Sequence, residues 1–333
     1  MRQLFLQKPL DLVLREVEPP HPGPGEVTVQ VKAALTCGTD LKFYRRGHPR
    51  WPLPSGFGHE FSGLLLEVGE GVLLPPGTPV MLAPSAPCGE CRECQKGLSN
   101  LCPQCMQVMI LGAFADVVRV PAPVVATNLY PKPPELDWWQ AALLEPLSCV
   151  VYGLSLVNAS GTVAILGAGP IGLLYAALAR SQGAERVLLA GRHALRRQVA
   201  ERLGAEVLPE TELPGQAVLA AGGADLVIEC TGQPAVWEDA VHAARRGGTV
   251  LFYGGCPGGT TFAVDPAHVL ERGLCLKGAF HFTPAAVARS RDLLIAGAIP
   301  VGELITDVYP LERYQEAFQR LDRGEAVKLG LQP

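Results

Sequence analysis

Charge is scarce in this chain: Asp, Glu, Lys and Arg make up 18% of its 333 residues, and the formal net charge is -4. No dense basic stretch interrupts it, so nucleic acid and anionic membranes find no electrostatic footprint, and small-molecule chemistry is the expectation. Long apolar runs are also missing. The longest, residues 163–179, is short for a membrane span and is broken by Gly167, Gly169, Pro170 and Gly172. Met1-Arg2-Gln3-Leu4-Phe5 carries neither the long apolar stretch nor the cleavage site of a signal peptide. With ten cysteines and no secretory signal, a reducing cytoplasm is expected. There is no internal repeat and no disordered tract.

What is present is apolar residue at 48%, enough for a well-buried globular protein, in a chain long for a single core. Two domains are expected. Short strand patterns with Gly/Pro turns fill the first half (residues 27–31, 61–68, 79–82 and 115–120), a texture that suits an irregular β-barrel-like domain. After Asp137 a helix is expected over 138–158. Strands at 163–166, 187–190, 226–229 and 249–253 then alternate with helical stretches such as 171–182 and 195–203. That rhythm predicts a doubly wound parallel sheet, and so an α/β protein. A helix at 284–296 and a strand-helix tail at 305–323 complete the reading.

Cys88, Cys91, Cys94 and Cys102 fall within fifteen residues. Turn-forming residues separate them, so four thiolates can close a tetrahedron around zinc with little loop-closure cost. Such a closed shell leaves no position for substrate, which makes the site structural. An iron–sulfur cluster shares the first spacings and the Cys102-Pro103 ending, but the seven residues before Cys102, rather than three, weaken that alternative.

Gly167-Ala168-Gly169-Pro170-Ile171-Gly172 follows a predicted strand and opens a predicted helix. Gly167 permits the tight turn, Gly169 lets the backbone approach a pyrophosphate, and Gly172 allows close helix–sheet packing. A dinucleotide site is expected there. NAD-preferring sites of this kind place a carboxylate at the end of the second strand, and none stands here: the strand runs into Gly191-Arg192-His193. Arg192, with Arg196 or Arg197 nearby, offers donors for a 2′-phosphate, so NADP is favoured and NAD remains possible.

Cys37-Gly38-Thr39-Asp40, Gly58-His59-Glu60 and Glu145 offer a thiolate, an imidazole and two carboxylates. Three of these around an ion would leave a position open. Taken with Val68-Gly69-Glu70-Gly71-Val72, the tetrad, the glycine turn and Glu229-Cys230-Thr231-Gly232, the chain resembles the zinc-dependent medium-chain dehydrogenase/reductase family from end to end.

The resemblance implies a GroES-like catalytic domain (1–149 and 285–333) interrupted by a Rossmann dinucleotide-binding domain (150–284). It implies two zinc ions, one catalytic and one structural. Cys37 and His59 would bind the catalytic ion, with Glu60 and Glu145 as alternating carboxylate ligands. Asp40 would support His59, Thr39 would receive the substrate hydroxyl proton, and Gly167, Gly169, Pro170, Ile171, Gly172, Gly191, Arg192, Arg197 and Thr231 would line the cofactor. Many relatives relay the proton through a histidine five residues after the zinc cysteine; here that residue is Lys42, and His48 is the nearest histidine. Cys149 is expected to serve helix packing. The activity implied is hydride transfer between an alcohol, of polyol or sugar-like kind, and a nicotinamide dinucleotide, with ketone or aldehyde reduction in reverse. A homo-oligomer, dimer or tetramer, is implied too. Two alternatives stay open: a zinc-free quinone or enoyl reductase of the same superfamily, and a non-catalytic NADP-binding redox sensor.

Overall fold

A computed structural model describes residues 1–48 and 50–333 and divides the chain into two compact units. The first comprises Met1–Ser148, Phe282–Gly297 and Ile305–Pro333, and the second comprises Cys149–His281 and Ala298–Leu304.

In the first unit, strand Val27–Leu35 is the spine of a seven-stranded sheet. It pairs antiparallel with Glu60–Val68, Lys328–Gln332 and Val117–Val120. Pro79–Leu82 and Leu129–Pro131 extend the sheet on one side and Ile305–Pro310 on the other. Register shifts along the Val27–Leu35/Glu60–Val68 pair bend the sheet, as bulges do at barrel corners. Gly63 has no room for a side chain, because a Cβ there would lie 2.1 Å from the Gln30 carbonyl oxygen. Arg2–Lys8, Asp11–Glu16 and Ser55–Gly56 form a separate three-stranded sheet. Leu4, Leu6, Phe43, Phe57, Phe61, Phe114 and Phe318 are buried between these layers and form the core.

The second unit carries six parallel strands in the order Glu206–Val207, Arg186–Ala190, Thr162–Leu166, Ala224–Glu229, Ala244–Phe252, Cys275–Gly278. Every residue of Thr162–Leu166 is buried, as a central strand covered on both faces requires. Strand order reverses at this strand. In doubly wound sheets the crevice outside the strand ends at that point takes ligands.

One expected element is split. The helix expected over 138–158 consists of Trp138–Ala142 and Leu144–Ser155, interrupted at Leu143. Pro146 has no N–H to give to the carbonyl four residues earlier, so a continuous helix would lack a hydrogen bond there. Asp137 starts the first piece with a reciprocal cap: its side chain accepts from the Gln140 amide while Gln140 accepts from the Asp137 amide. Among the described residues, no helix is long and apolar enough to cross a membrane.

Candidate metal centres and dinucleotide site

Cys37 ends the segment after Val27–Leu35 and caps helix Gly38–Arg46. Its Sγ accepts the Thr39 amide at 3.4 Å, and Asp40 accepts the Cys37 amide at 2.9 Å. Asp40 does a second thing from the same position. Its Oδ1 lies 3.0 Å from His59 Nδ1, which fixes the ring so that Nε2 is the nitrogen left for a ligand. His59 immediately precedes strand Glu60–Val68, and that strand's pairing with Val27–Leu35 brings His59 and Glu60 to Cys37. The three ligand atoms lie within 4.8 Å of one another, and His59 and Glu60 are buried.

Glu60 has a partner that sequence reasoning missed. Lys328, buried on strand Lys328–Gln332, places Nζ 2.6 Å from Oε2 of Glu60, 2.9 Å from its Oε1 and 2.8 Å from the Thr36 carbonyl oxygen. Burial and the nearby charge of Glu145 push the Glu60 carboxyl up to about 7, against the pull of Lys328 and His59. The Lys328 ammonium loses solvation by burial, yet Glu60 and Cys37 hold its pKa above the ordinary lysine value. Burial raises the Cys37 thiol as well, with Glu60 adding to the effect and His59 opposing it. His59 is desolvated too, but Asp40 outweighs this and raises it well above a free imidazole. Cys37, His59 and Glu60 thus bring one sulfur, one nitrogen and one oxygen donor together, with Asp40 fixing the imidazole, and this donor set fits a zinc ion.

Glu145 is buried on helix Leu144–Ser155, near enough for its charge to act on Glu60 and Lys328, but it is not among the three donors brought within 4.8 Å. Thr39 is exposed on the first turn of Gly38–Arg46. His48 stacks on buried Trp51 at 3.9 Å, and burial, with Arg50 and Arg46, lowers its pKa. Lys42 is exposed. Trp51 packs in the core of the unit, against Phe43, while Phe280 is exposed.

The cysteine tetrad closes as its spacing predicts. Cys88, Cys91, Cys94 and Cys102 bring their sulfurs within 4.8 Å of one another, with Cys91 3.5 Å from Cys94 and Cys102 3.6 Å from Cys88. All ten cysteines are free thiols. The Cys88 amide donates to Cys102 Sγ, and the Cys91 amide to Cys88 Sγ, both at 3.3 Å. Burial would raise Cys102, but the amides of Cys88 and Gln104 and the neighbouring thiols bring it down to about 6, while burial raises Cys94 and Cys91 is pushed up to about 12, so in the crowded group the negative charge settles first on Cys102. Gly89, at φ 80°, makes the tight turn between the first two cysteines.

In the second unit, Gly167 turns at φ 115°, outside the range open to side chains, and its amide donates to the Ala190 carbonyl at 2.8 Å. A Cβ on Gly172 would lie 1.9 Å from the Gly167 oxygen, whereas one on Gly169 would meet nothing within 4 Å. Helix Pro170–Ser181 therefore presents its first amides at an open turn, with Pro170 at its start, Ile171 next and no side chain capping it. Thr231 flanks that turn: its Cγ2 would sit 2.9 Å from a Gly167 Cβ. Buried Glu229 holds Thr231 in place, accepting its amide at 2.6 Å and its hydroxyl, together with the Gly232 amide at 3.0 Å. In the sequence this carboxylate opens the Glu229-Cys230-Thr231-Gly232 motif, but its role as the acceptor that holds Thr231 is seen only in the fold.

At the end of Arg186–Ala190, Gly191 stands where a carboxylate would be, and Arg192 is exposed beside it. Arg197 is differently engaged: its Nη1 donates to the Gly191 carbonyl at 3.0 Å and to the Leu208 carbonyl at 2.9 Å. It ties the strand end to the next segment.

The sequence matches the alcohol dehydrogenase GroES-like domain over residues 23–133 and the zinc-binding dehydrogenase domain over 170–295. The chain belongs to the zinc-dependent medium-chain dehydrogenase family. Among similar members, L-threonine 3-dehydrogenase of Bacillus subtilis (strain 168) is 32% identical over 96% of this chain and 95% of its own. Sorbitol dehydrogenase of Gallus gallus is 30% identical over 96% and 93%. In three dimensions, a zinc-binding dehydrogenase from Sinorhizobium meliloti 1021, solved with NADP bound, superposes with a TM-score of 0.89 at 33% identity, covering 100% of this chain and 99% of that one. The alcohol dehydrogenase TADH from Thermus sp. ATN1 gives 0.90 at 30% identity, with both chains fully covered. As in its family, this dehydrogenase combines a mixed β catalytic unit with a doubly wound cofactor unit, and its activity is NAD(P)-dependent oxidoreduction of alcohols.

Proposed function

We propose that this dehydrogenase binds two zinc ions, prefers NADP, and interconverts a polyhydroxylated secondary alcohol and its ketone. The observation that carries the reading is the convergence of Cys37, His59 and Glu60, three donors within 4.8 Å that leave a fourth position to substrate. Zinc there supplies Lewis-acid polarisation of the substrate oxygen, and the nicotinamide supplies the hydride acceptor.

The chain's own residues do the rest. Asp40 orients His59 and so fixes the ligand geometry. Lys328 hydrogen-bonds Glu60 and orients that donor, with Glu145 nearby as the carboxylate that would alternate with it, and Thr39 stands two residues after Cys37 to take the substrate hydroxyl proton. The tetrad holds the second, structural ion. Support for a polar substrate comes from relatives named for threonine, galactonate, arabinitol and sorbitol, each a secondary alcohol on a polar chain. Support for NADP comes from Gly191 and Arg192 and from the NADP-bound neighbour. Ten free thiols suit a reducing cytoplasm.

The test is metal analysis of the purified protein combined with an oxidation screen of polyols, sugar acids and threonine using NADP and NAD. Two zinc ions per chain and NADP-linked oxidation of a polyol are expected. Full activity on a quinone or enone in zinc-free protein would overturn the reading in favour of a zinc-free reductase, and cofactor binding with no turnover on any substrate would favour a sensor.

A further inference from the structure

We infer that His242 and His268 form a two-histidine site for a divalent transition-metal ion, built wholly within the second unit and sharing no residue with either cysteine-bearing centre. The two residues come from different helices. His242 stands exposed on the last turn of Pro234–Ala243, and His268 stands half-buried on the first turn of Pro266–Arg272. Their ring centres lie 4.7 Å apart, with the planes inclined at 65°.

Edge-to-face packing of two rings would account for that spacing. It does not account for the nitrogen. Nε2 of His268 is buried and has no hydrogen-bond partner among the described residues, whereas buried polar atoms in folded proteins are nearly always paired. A neutral imidazole nitrogen in that position is a metal donor, and the spacing of the rings suits one ion bound by both. With metal–nitrogen bonds of about 2.0–2.1 Å, the ion sits roughly 3.2 Å from each ring centre, so centres 4.7 Å apart subtend about 95° at it. That is close to the right angle between neighbouring positions of an octahedral or tetragonal shell. Imidazole donors suit zinc, copper, nickel and iron.

The nearby carboxylates are engaged elsewhere, so water completes the shell. Glu238, one turn before His242 on the same helix face, accepts the Ala263 amide at 2.8 Å, and Asp239 accepts the Gly215 amide. Asp265 caps the second helix by accepting the Ala267 amide at 2.9 Å. An ion shared by the two histidines would staple that second helix to the first. The second helix gains most from a staple, because none of its residues is fully buried and long arginine side chains tie it down: Arg246 donates to the Glu271 carbonyl at 3.0 Å and Arg272 to the Ala244 carbonyl at 2.8 Å.

The test is equilibrium dialysis and thermal unfolding of the full-length protein, carrying the metal it holds when purified, against nickel(II) in a non-chelating buffer. Wild type should take up one nickel ion per chain beyond the metal already bound. Its Tm should rise by about 2 °C or more, since an ion that binds only the folded state stabilises it by mass action. His242→Ala and His268→Ala should each weaken that uptake at least about tenfold and remove the rise, because losing a direct ligand costs no less than losing a residue that supports one. His21→Ala removes an exposed histidine of the first unit and should leave both readouts unchanged. If His268→Ala does not fold, His242→Ala, at an exposed position, decides the matter alone. The site is overturned if wild type takes up no further ion, if nickel merely replaces metal already bound, or if a folded His242→Ala variant binds nickel as tightly as wild type.

Discussion

Lys328 and Glu60 form an ion pair sealed inside the first unit: Nζ lies 2.6 Å from Oε2, and neither side chain exposes more than 1% of its surface. Above the Glu60 value of about 7, removing Lys328 leaves that carboxylate buried without a partner. At pH 9 Lys328→Met should therefore lower unfolding stability by about 3–5 kcal/mol, and Glu60→Gln in the same chain should restore part of it. Urea denaturation of the single and double variants measures this. A cost of Lys328→Met below about 1 kcal/mol, or a double variant weaker than the single, would show that Glu60 is neutral beside Lys328.

Cys37→Ala and His59→Ala remove donors that belong entirely to the first unit, while the glycine turn and its supports belong to the second. Losing the Lewis acid should cost several kcal/mol of transition-state stabilisation, or roughly a thousandfold or more in kcat. Dinucleotide affinity should change less than about twofold. Steady-state turnover and equilibrium cofactor binding give the two readouts. Retention of most of the rate by either variant would sink the zinc-assisted mechanism.

The parts of this site that are short in sequence were legible in it. The tetrad and the glycine turn owe their geometry largely to neighbours a few residues away, so spacing carries their chemistry, whereas His59 and Glu60 were read as ligands only in the company of Cys37, Glu145 and the family motifs. Lys328 was not legible because its partner is 268 residues distant and its own setting, a lysine among Ala326, Val327 and Leu329, reads as a strand with one polar face. Sheet pairing, not local pattern, turns that lysine inward. The hairpin Arg2–Lys8/Asp11–Glu16 escaped notice for a related reason: Leu10 takes positive φ at its turn, where a glycine or asparagine would have been the recognisable sign. Arg197 shows the converse, since its sequence position suggests a phosphate ligand and only the fold reveals the two carbonyls it serves.

Cys91→Ser opens a closed shell without touching Cys37, His59 or Glu60. The variant should retain one zinc per chain instead of two and lose several kcal/mol of stability, while its kcat at a temperature below unfolding stays within about threefold of wild type. Metal analysis with thermal unfolding measures both. Iron at this lobe, or an unchanged zinc content, would overturn the assignment.

Asp116 ties the first strand to the sheet. It accepts the Arg2 backbone amide and the Arg2 guanidinium, the latter at 2.6 Å from Nη2. Partial burial raises the Asp116 carboxyl, but the Arg2 hydrogen bonds and charge together prevail, leaving its pKa below the usual value. A depressed folded pKa contributes stability that is present above the unfolded value, about 3.9, and fades as pH falls through the folded one. Arg2→Met should cost about 1 kcal/mol at pH 7, and the difference from wild type should shrink below about pH 4. Denaturation at pH 7, 5 and 3 checks the sign, and a gap that widens toward acid would contradict it.

Arg192 and Arg197 share one helix start but should fail in different ways. Arg192 is exposed at the end of the second strand, and on the proposed NADP reading its loss would remove a charge-assisted hydrogen bond of about 1.5–3 kcal/mol to the 2′-phosphate. Arg192→Ala should lower kcat/KM for NADP about ten- to a hundredfold and leave that for NAD nearly unchanged. Arg197 instead holds the Gly191 and Leu208 carbonyls, so Arg197→Ala should loosen the strand end and weaken both cofactors alike. Gly191→Asp, the substitution that sequence logic offers for reversing the preference, meets Ala168 before it meets a ribose, because a Cβ there would lie 2.6 Å from the alanine methyl. Kinetics with both cofactors on the two arginine variants therefore separate recognition from positioning, and a loss confined to NADP in Arg197→Ala would exchange the two roles.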